Sequence, residues 1–220
     1  FGKGLIGGMC ADQILYKYLA GVYQNSANYD HVTRNASSNN GATEKEHKYD
    51  EGYGYLFGLA SDLALPESSY MNGDVLLAKY TNKVNNGQEV GIYNTLFDAF
   101  KLGRAAVTQD VQSTADEQID VVRKAISRII AYKAIDYLES AATSGGNASA
   151  DMADYFHDLS EGYGFIMSLQ FTFDEGGTPY FTNAEVNNML ASLEAGNGFW
   201  DRTAQELTDM ANNIKSRTGL

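Results

Sequence analysis

The sequence repeats one stretch that decides how its fold is interpreted, His47-Lys48-Tyr49-Asp50-Glu51-Gly52-Tyr53-Gly54-Tyr55, which returns 110 residues later as His157-Asp158-Leu159-Ser160-Glu161-Gly162-Tyr163-Gly164-Phe165. Because this offset is half of the 220-residue chain, the repeat indicates an internal duplication. Two weaker correspondences follow in the same order, Tyr70-Met71-Asn72-Gly73 with Tyr180-Phe181-Thr182-Asn183, and Gly91-Ile92-Tyr93 with Gly198-Phe199-Trp200. We therefore predict two pseudo-equivalent halves, residues 1–110 and 111–220, that form one compact unit.

Hydrophobic periodicity predicts the class of the fold. Apolar residues spaced three and four apart mark eight helical stretches, at about 4–25, 41–63, 69–85, 88–109, 112–142, 149–173, 182–194 and 199–216. Only two prolines, Pro66 and Pro179, interrupt the chain, and alternating strand patterns are nearly absent. The predicted class is all-α, a duplicated helical bundle with about four helices in each half. The polar segment 26–43 has no counterpart of equal length and is expected to be an exposed loop that includes His31.

Composition excludes several classes of partner. The formal net charge is −12, and no Lys/Arg cluster could bind a phosphate backbone, so nucleic acid and anionic membranes are not expected partners. No run of about 18 apolar residues predicts a transmembrane segment. The single cysteine, Cys10, lies in an apolar run and is expected to be a buried thiol. The chain begins with Phe1, which leaves room for a signal peptide or a lipid anchor upstream.

The repeated stretch also supplies the candidate functional residues. A spacing of four places His47 beside Glu51, and His157 beside Glu161, on one face of a helix. An imidazole and a carboxylate so placed can bind iron or another divalent metal, and Asp50 adds a carboxylate in the first half, where the second half has Ser160. The alternative is that each pair is a buried structural hydrogen bond.

The glycines that follow each Glu predict a close approach. Glycine inside a helix costs about 1 kcal/mol relative to alanine, so Gly52, Gly54, Gly162 and Gly164 call for a packing or functional reason. Recognisable catalytic motifs are absent, including the zinc helix His-Glu-x-x-His, phosphate-binding loops and the nucleophile elbow. A non-enzymatic protein is therefore predicted.

Three segments carry a family resemblance: Gly2-Lys3-Gly4-Leu5-Ile6-Gly7-Gly8 and the two copies of the repeat. They resemble an uncharacterised domain family of Gram-negative cell-envelope lipoproteins, which is similar to the imelysin-like proteins. The resemblance implies two duplicated helical bundles, export to the periplasm or the outer membrane, and a link to iron acquisition. The imelysin signature is Gly-x-His-x-x-Glu, and of its residues only His47 with Asp50 or Glu51 can be carried over to this sequence.

Two functions remain open from the sequence. The first is an exported, non-enzymatic binding protein that holds a metal ion, such as iron, or a small ligand between the two helical repeats. The alternative is a structural or interaction subunit of a cell-envelope assembly, which binds an envelope protein partner and no metal.

Overall fold

The protein is all-α. The computed structural model describes residues 2–22, 30, 32–34, 40–64, 66 and 76–220, with the backbone alone at 21 and 22. Helices make up 73% of the structure, and the described residues form no strand. Their only strand-like pairings are two isolated bridges, Gly146 with Thr203 and Phe173 with Pro179. The prediction of an all-α helical bundle is confirmed.

The described residues form eight α-helices and one π-helix. In chain order they are α1 (Gly2–Leu5), the π-helix (Ile6–Val22), α2 (Glu44–Phe57), α3 (Leu77–Asn85), α4 (Ile92–Thr108), α5 (Gln112–Thr143), α6 (Met152–Ser168), α7 (Asn183–Glu194) and α8 (Ala204–Thr218). Short 3₁₀ turns follow at Leu169–Phe171 and Gly198–Asp201. Each predicted stretch overlaps one of these helices, although α5 and α8 end one and two residues beyond their stretches. The start of the third stretch, 69–75, lies outside the described residues.

Three of the helices begin with the same N-terminal capping motif. A threonine immediately before the first turn accepts the amide of a glutamate three residues later, and that glutamate's carboxylate accepts the threonine's own amide. This capping box satisfies two amides that the first helical turn leaves without partners. The three boxes are Thr43 with Glu46, Thr182 with Glu185, and Thr203 with Glu206.

The π-helix differs from the α-helix predicted over 4–25. Its buried residues recur in pairs every four positions: Ile6 and Gly7, Cys10 and Ala11, Ile14 and Leu15, Tyr18 and Leu19. An α-helix repeats every 3.6 residues, so a stripe with a repeat of four drifts around it. The i to i+5 hydrogen bonds of a π-helix give more residues per turn, so a repeat of four lies between the two helical geometries.

Contacts along the chain group into two compact units. One unit is Met9–Ala125, and the other is Phe1–Gly8 together with Ile126–Leu220. The divisions therefore fall inside the π-helix and inside α5, and they do not coincide with the predicted boundary between residues 110 and 111. The duplication into two halves stays a prediction.

The core of unit 9–125 is aromatic where α2 packs on α4. Phe57 and Phe100 are fully buried, and their rings meet edge to face with centroids 6.1 Å apart. Tyr49 contacts Phe100 in the same way at 6.2 Å. Edge-to-face pairs of this kind add to the stability that comes from burial alone. They fix the face of α2 that carries the first copy of the repeat.

In the other unit, α1 lies directly on α6 because small residues line the contact. A Cβ atom at Gly7 would come within 2.7 Å of the Ser168 Cα, and one at Gly164 would come within 2.5 Å of the Lys3 Cβ. Ser168 is fully buried, and its Oγ accepts the amide of Gly7 at 3.1 Å. This Oγ also lies 3.0 Å from the Lys3 carbonyl, to which it can donate. We call residues 2–8 the N-terminal strap.

The first glycine of each repeat packs in an equivalent way. A Cβ at Gly52 would lie 3.3 Å from the Tyr18 Cβ, and a Cβ at Gly162 would lie 3.2 Å from the Tyr137 Cβ. In both cases a Tyr-Leu pair of the preceding long helix faces the glycine. The close helix approach predicted for these two positions is therefore present.

The same tyrosines also contact the aromatic residue that ends each repeat. The ring centroids of Tyr18 and Tyr55 are 5.7 Å apart, and those of Tyr137 and Phe165 are 5.8 Å apart. Tyr18 lies 29 residues before His47, whereas Tyr137 lies 20 residues before His157. The segment 26–43, which has no counterpart of equal length, falls in the longer interval.

Three further predictions concern the beginning of the chain. Cys10 is buried, as expected. None of the helices within the described residues is long and apolar enough to cross a membrane. His31 and much of segment 26–43 lie outside the described residues, so the predicted exposed loop is not described there.

Candidate functional site

The first His/Glu pair lies on α2, as its spacing predicts. The His47 Nε2 is 3.7 Å from the Glu51 Oε1, with the two side chains 41% and 31% exposed. The other carboxylate oxygen of Glu51 accepts a hydrogen bond from the Lys48 ammonium at 2.7 Å. This pair is therefore a half-exposed ionic cluster on the surface of α2, and not a buried hydrogen bond.

The second pair, on α6, has the same spacing and a different environment. The His157 Nε2 is 3.7 Å from the Glu161 Oε1, but His157 is 66% exposed and Glu161 only 17%. Lys3 of the strap places its ammonium 3.3 Å from the same carboxylate oxygen. Burial alone would raise the pKa of Glu161, but a hydrogen bond from Tyr137 and the charge of Lys3 outweigh burial and lower it. Glu161 is thus an anion that anchors the strap.

Asp50 faces a different partner from His47. Arg104 of α4 binds the Asp50 carboxylate through two nitrogens, at 2.7 and 3.2 Å. The same guanidinium reaches Glu46 at 3.1 Å, and Glu46 is only 2% exposed. A planar guanidinium that binds two carboxylates of one helix fixes the position of that helix. Arg104 therefore holds α2 against α4.

Glu46 is the centre of this network, and it is not among the candidate residues that the sequence predicts. Burial alone would raise the pKa of Glu46, but hydrogen bonds from the Thr43 amide, the Thr108 hydroxyl and Arg34, with the charge of Arg104, lower it from 4.5 to about 2. One signal was available in the sequence, because Thr43 and Glu46 have the spacing of a capping box. The partners on α4 and at Arg34 could not be identified by spacing.

The five predicted metal ligands do not assemble into one donor set. His47 with Glu51 and His157 with Glu161 each supply two donors, and they belong to different units. In the part of the chain that the structure describes, no three His, Cys, Asp or Glu side chains are grouped so that they could hold a metal ion. Iron in proteins is held by more donors than one such pair offers, as in the two-His-one-carboxylate site. The pairs alone therefore do not fit a bound metal, and the metal site stays a prediction.

A cavity of about 510 Å³ opens beside Asp50, between α2, α4 and the residues after α2. Its walls are mainly apolar and include the rings of Tyr53 from α2 and of Phe97 and Phe100 from α4, so we call it the aromatic cavity. The rings of Tyr53 and Phe100 meet edge to face at 5.5 Å. Gly54 also lines the cavity, and a Cβ built there would have no atom within 4 Å. The second glycine of the first repeat therefore leaves space open.

The polar groups of the cavity are few and mostly occupied. The Tyr53 hydroxyl donates to the Leu63 carbonyl at 2.7 Å, and burial, with nearby Tyr93 and Asp62, raises its pKa to about 12. Arg104 at the rim is bound by Asp50. The cavity thus presents neutral aromatic walls with charge confined to its rim.

A second cavity, of about 530 Å³, lies between α7 and α8 in the other unit. Two arginines of its lining bind α7: Arg217 of α8 contacts Glu185 at 2.9 Å, and Arg202, which precedes α8, donates to the Ser192 carbonyl at 2.8 Å. None of the predicted site residues lines this cavity.

Comparisons with known proteins identify the family. A family model with the description "Domain of unknown function (DUF4856)" matches residues 1–220. No significant match is found among curated proteins or among solved structures.

Proposed function

The chain belongs to the DUF4856 family, and for this member we propose an exported, non-enzymatic binding protein that holds a small ligand in the aromatic cavity between α2 and α4. The proposal that the protein is exported is based on the resemblance to envelope lipoproteins. The proposal that it binds a small ligand is based on the geometry of unit 9–125.

One observation carries the proposal, namely the volume and lining of the cavity. Ligand sites in proteins are clefts of roughly 300–1,000 Å³ with mostly apolar walls and a few convergent polar groups. The cavity has about 510 Å³, aromatic walls from Tyr53, Phe97 and Phe100, and charged groups at its rim. Both its size and its lining therefore suit a small apolar or amphipathic molecule.

The contacts around the cavity also support a preformed site. Arg104 fixes α2 to α4 through Asp50 and Glu46, and the hydroxyl of Tyr53 fixes the segment that follows α2 through Leu63. A ligand that enters a rigid cavity loses less of its binding free energy to ordering the protein. The ionic network is therefore assigned a positioning role, and the rings supply the contact area.

The proposal is tested with phenylnaphthylamine, a neutral probe whose fluorescence rises in apolar sites. We expect saturable binding to the purified full chain. Gly54→Leu should weaken binding at least about tenfold because its side chain fills the open space, whereas Gly54→Ala should stay within about twofold. Leucine and alanine are both good helix formers, so α2 is preserved in both variants.

Two results would reject the proposed function. One is the absence of saturable binding to the unaltered chain. The other is equal affinity of the Gly54→Leu and Gly54→Ala variants, which would place the probe elsewhere. Circular dichroism of each variant establishes that the helices are retained.

A further inference from the structure

The charged residues that line the aromatic cavity are Lys101, Arg104 and Asp50. Together with Glu46, which also binds Arg104, their charges sum to zero, in a chain that carries −12 overall. A cation without a contacting carboxylate attracts anions to its position.

Lys101 is the cation of this lining that no described carboxylate contacts. Arg104 is bound to Asp50 at 2.7 Å and to Glu46 at 3.1 Å, so its charge is matched within the protein. Lys101 is exposed, its ammonium lies 5.9 Å from the centre of the Phe97 ring, and it forms no ion pair with any described residue. Its ammonium thus stands over an aromatic wall with its donors available.

The other polar groups near the cavity would not attract an anion. The Tyr53 hydroxyl donates to the Leu63 carbonyl. Asp62 raises the pKa of Tyr53 by its negative charge, so an anionic group beside that hydroxyl would be repelled. The favourable position for an anionic group is therefore at Lys101, with the apolar part of the ligand against Tyr53 and Phe97.

We infer that the ligand of this cavity is an amphipathic anion, with an apolar and largely planar body and one carboxylate, sulfonate or similar group that binds Lys101. The inference rests on the proposed function, and it adds the chemical class of the ligand and the residue that selects it.

The test compares two probes with the same aromatic body. Anilinonaphthalene sulfonate carries one negative charge, and phenylnaphthylamine carries none. Lys101→Met should weaken binding of the sulfonate about threefold to fivefold, the upper part of the range of a single exposed ion pair, and leave the neutral probe within about twofold. Lys101→Arg should restore sulfonate binding. Lys79→Met, which removes the same charge from α3 in the same unit but away from the cavity lining, is the control.

Salt gives an independent measurement. Raising NaCl from about 50 to about 500 mM should weaken sulfonate binding to the unaltered chain and have little effect on Lys101→Met. If Lys101→Met changes neither probe, or both equally, the inference is overturned while the proposed function stands. If neither probe binds, or if Gly54→Leu does not displace them, the proposed function fails first.

Discussion

Gly164 lies so close to Lys3 that a Cβ atom on the glycine would be 2.5 Å from the lysine Cβ. The same atom would be 2.9 Å from the backbone nitrogen of Gly4. Backbone cannot move aside as the end of a flexible side chain can, so this contact specifies glycine. At the equivalent position of the first repeat, Gly54 faces open space.

The first prediction compares the same substitution at these two positions. Gly164→Ala should destabilise the protein by about 1–3 kcal/mol, because α1 must move away from α6. Gly54→Ala should stabilise it by about 0.5–1 kcal/mol, because alanine is the better helix former and meets no neighbour. Chemical denaturation of both variants measures the two changes. Changes of the same sign would contradict the packing described for the strap.

The second prediction concerns the buried hydroxyl of Ser168. Ser168→Ala should cost about 1–3 kcal/mol, because the Gly7 amide loses its acceptor in a buried position. Hydrogen exchange at that amide should become faster. Ser160→Ala on the same helix is the control, since among the described residues the exposed Ser160 hydroxyl bonds only the His157 carbonyl of its own turn. Its effect should stay within about 0.5 kcal/mol. Equal effects at both serines would remove the role assigned to Ser168.

The third prediction is a pH dependence that Glu46 causes. Its pKa is lowered from 4.5 to about 2 in the folded protein, so the stabilisation by its ionised form is complete above the unfolded value. It is lost as the pH falls from about 5 toward 2. A shift of this size corresponds to about 3 kcal/mol. Glu46→Gln should therefore be less stable near neutral pH, and the deficit should shrink as the pH falls toward 2.

Denaturant unfolding at a series of pH values measures this deficit. Glu117→Gln is the matched control, because Glu117 is an exposed residue of α5 and makes none of these contacts. Its stability should follow that of the unaltered chain at each pH. A deficit of Glu46→Gln that stays constant across this range would mean that the ionised network contributes no pH-dependent stability.

The fourth prediction belongs to the metal hypothesis. If His47 with Glu51, or His157 with Glu161, holds a metal ion, then ferrous, ferric or zinc ion added to chelator-treated protein should raise its Tm. A metal at about 100 times its Kd stabilises the folded state by about 2.7 kcal/mol. His47→Ala and His157→Ala should each remove the rise at its own site. Melting that is unchanged for every ion would exclude the metal hypothesis.

Local features of the fold could be predicted from the sequence. The stretch 112–142 matches α5 closely, because the spacing of its apolar residues is a property of the helix itself. The His47–Glu51 and His157–Glu161 contacts follow in the same way, since residues four apart lie side by side on a helix. The close helix approach at Gly52 and Gly162 could also be predicted, because a glycine inside a helix costs stability and usually has a packing or functional reason.

Contacts between distant parts of the chain could not be predicted. Arg104 and Glu46 are 58 residues apart, and no spacing rule relates them. Asp50 was assigned to a metal because it is near His47 in sequence, but the packing of α2 on α4 turns it to Arg104. The cavity likewise depends on how Tyr53, Phe97 and Leu63 meet in space. The pattern of one helix contains no information on which ring of another helix will face it.

The strap has a consequence for the order in which the molecule can be made. The amide of Gly7 finds its acceptor 161 residues later, at Ser168. On the ribosome the strap is synthesised before α6 and must wait for it. Met9–Ala125 is one of the two compact units and is also synthesised before α6, so it can fold during that interval. Nascent-chain intermediates arrested before α6 should therefore contain a folded aromatic unit with an undocked, protease-sensitive strap.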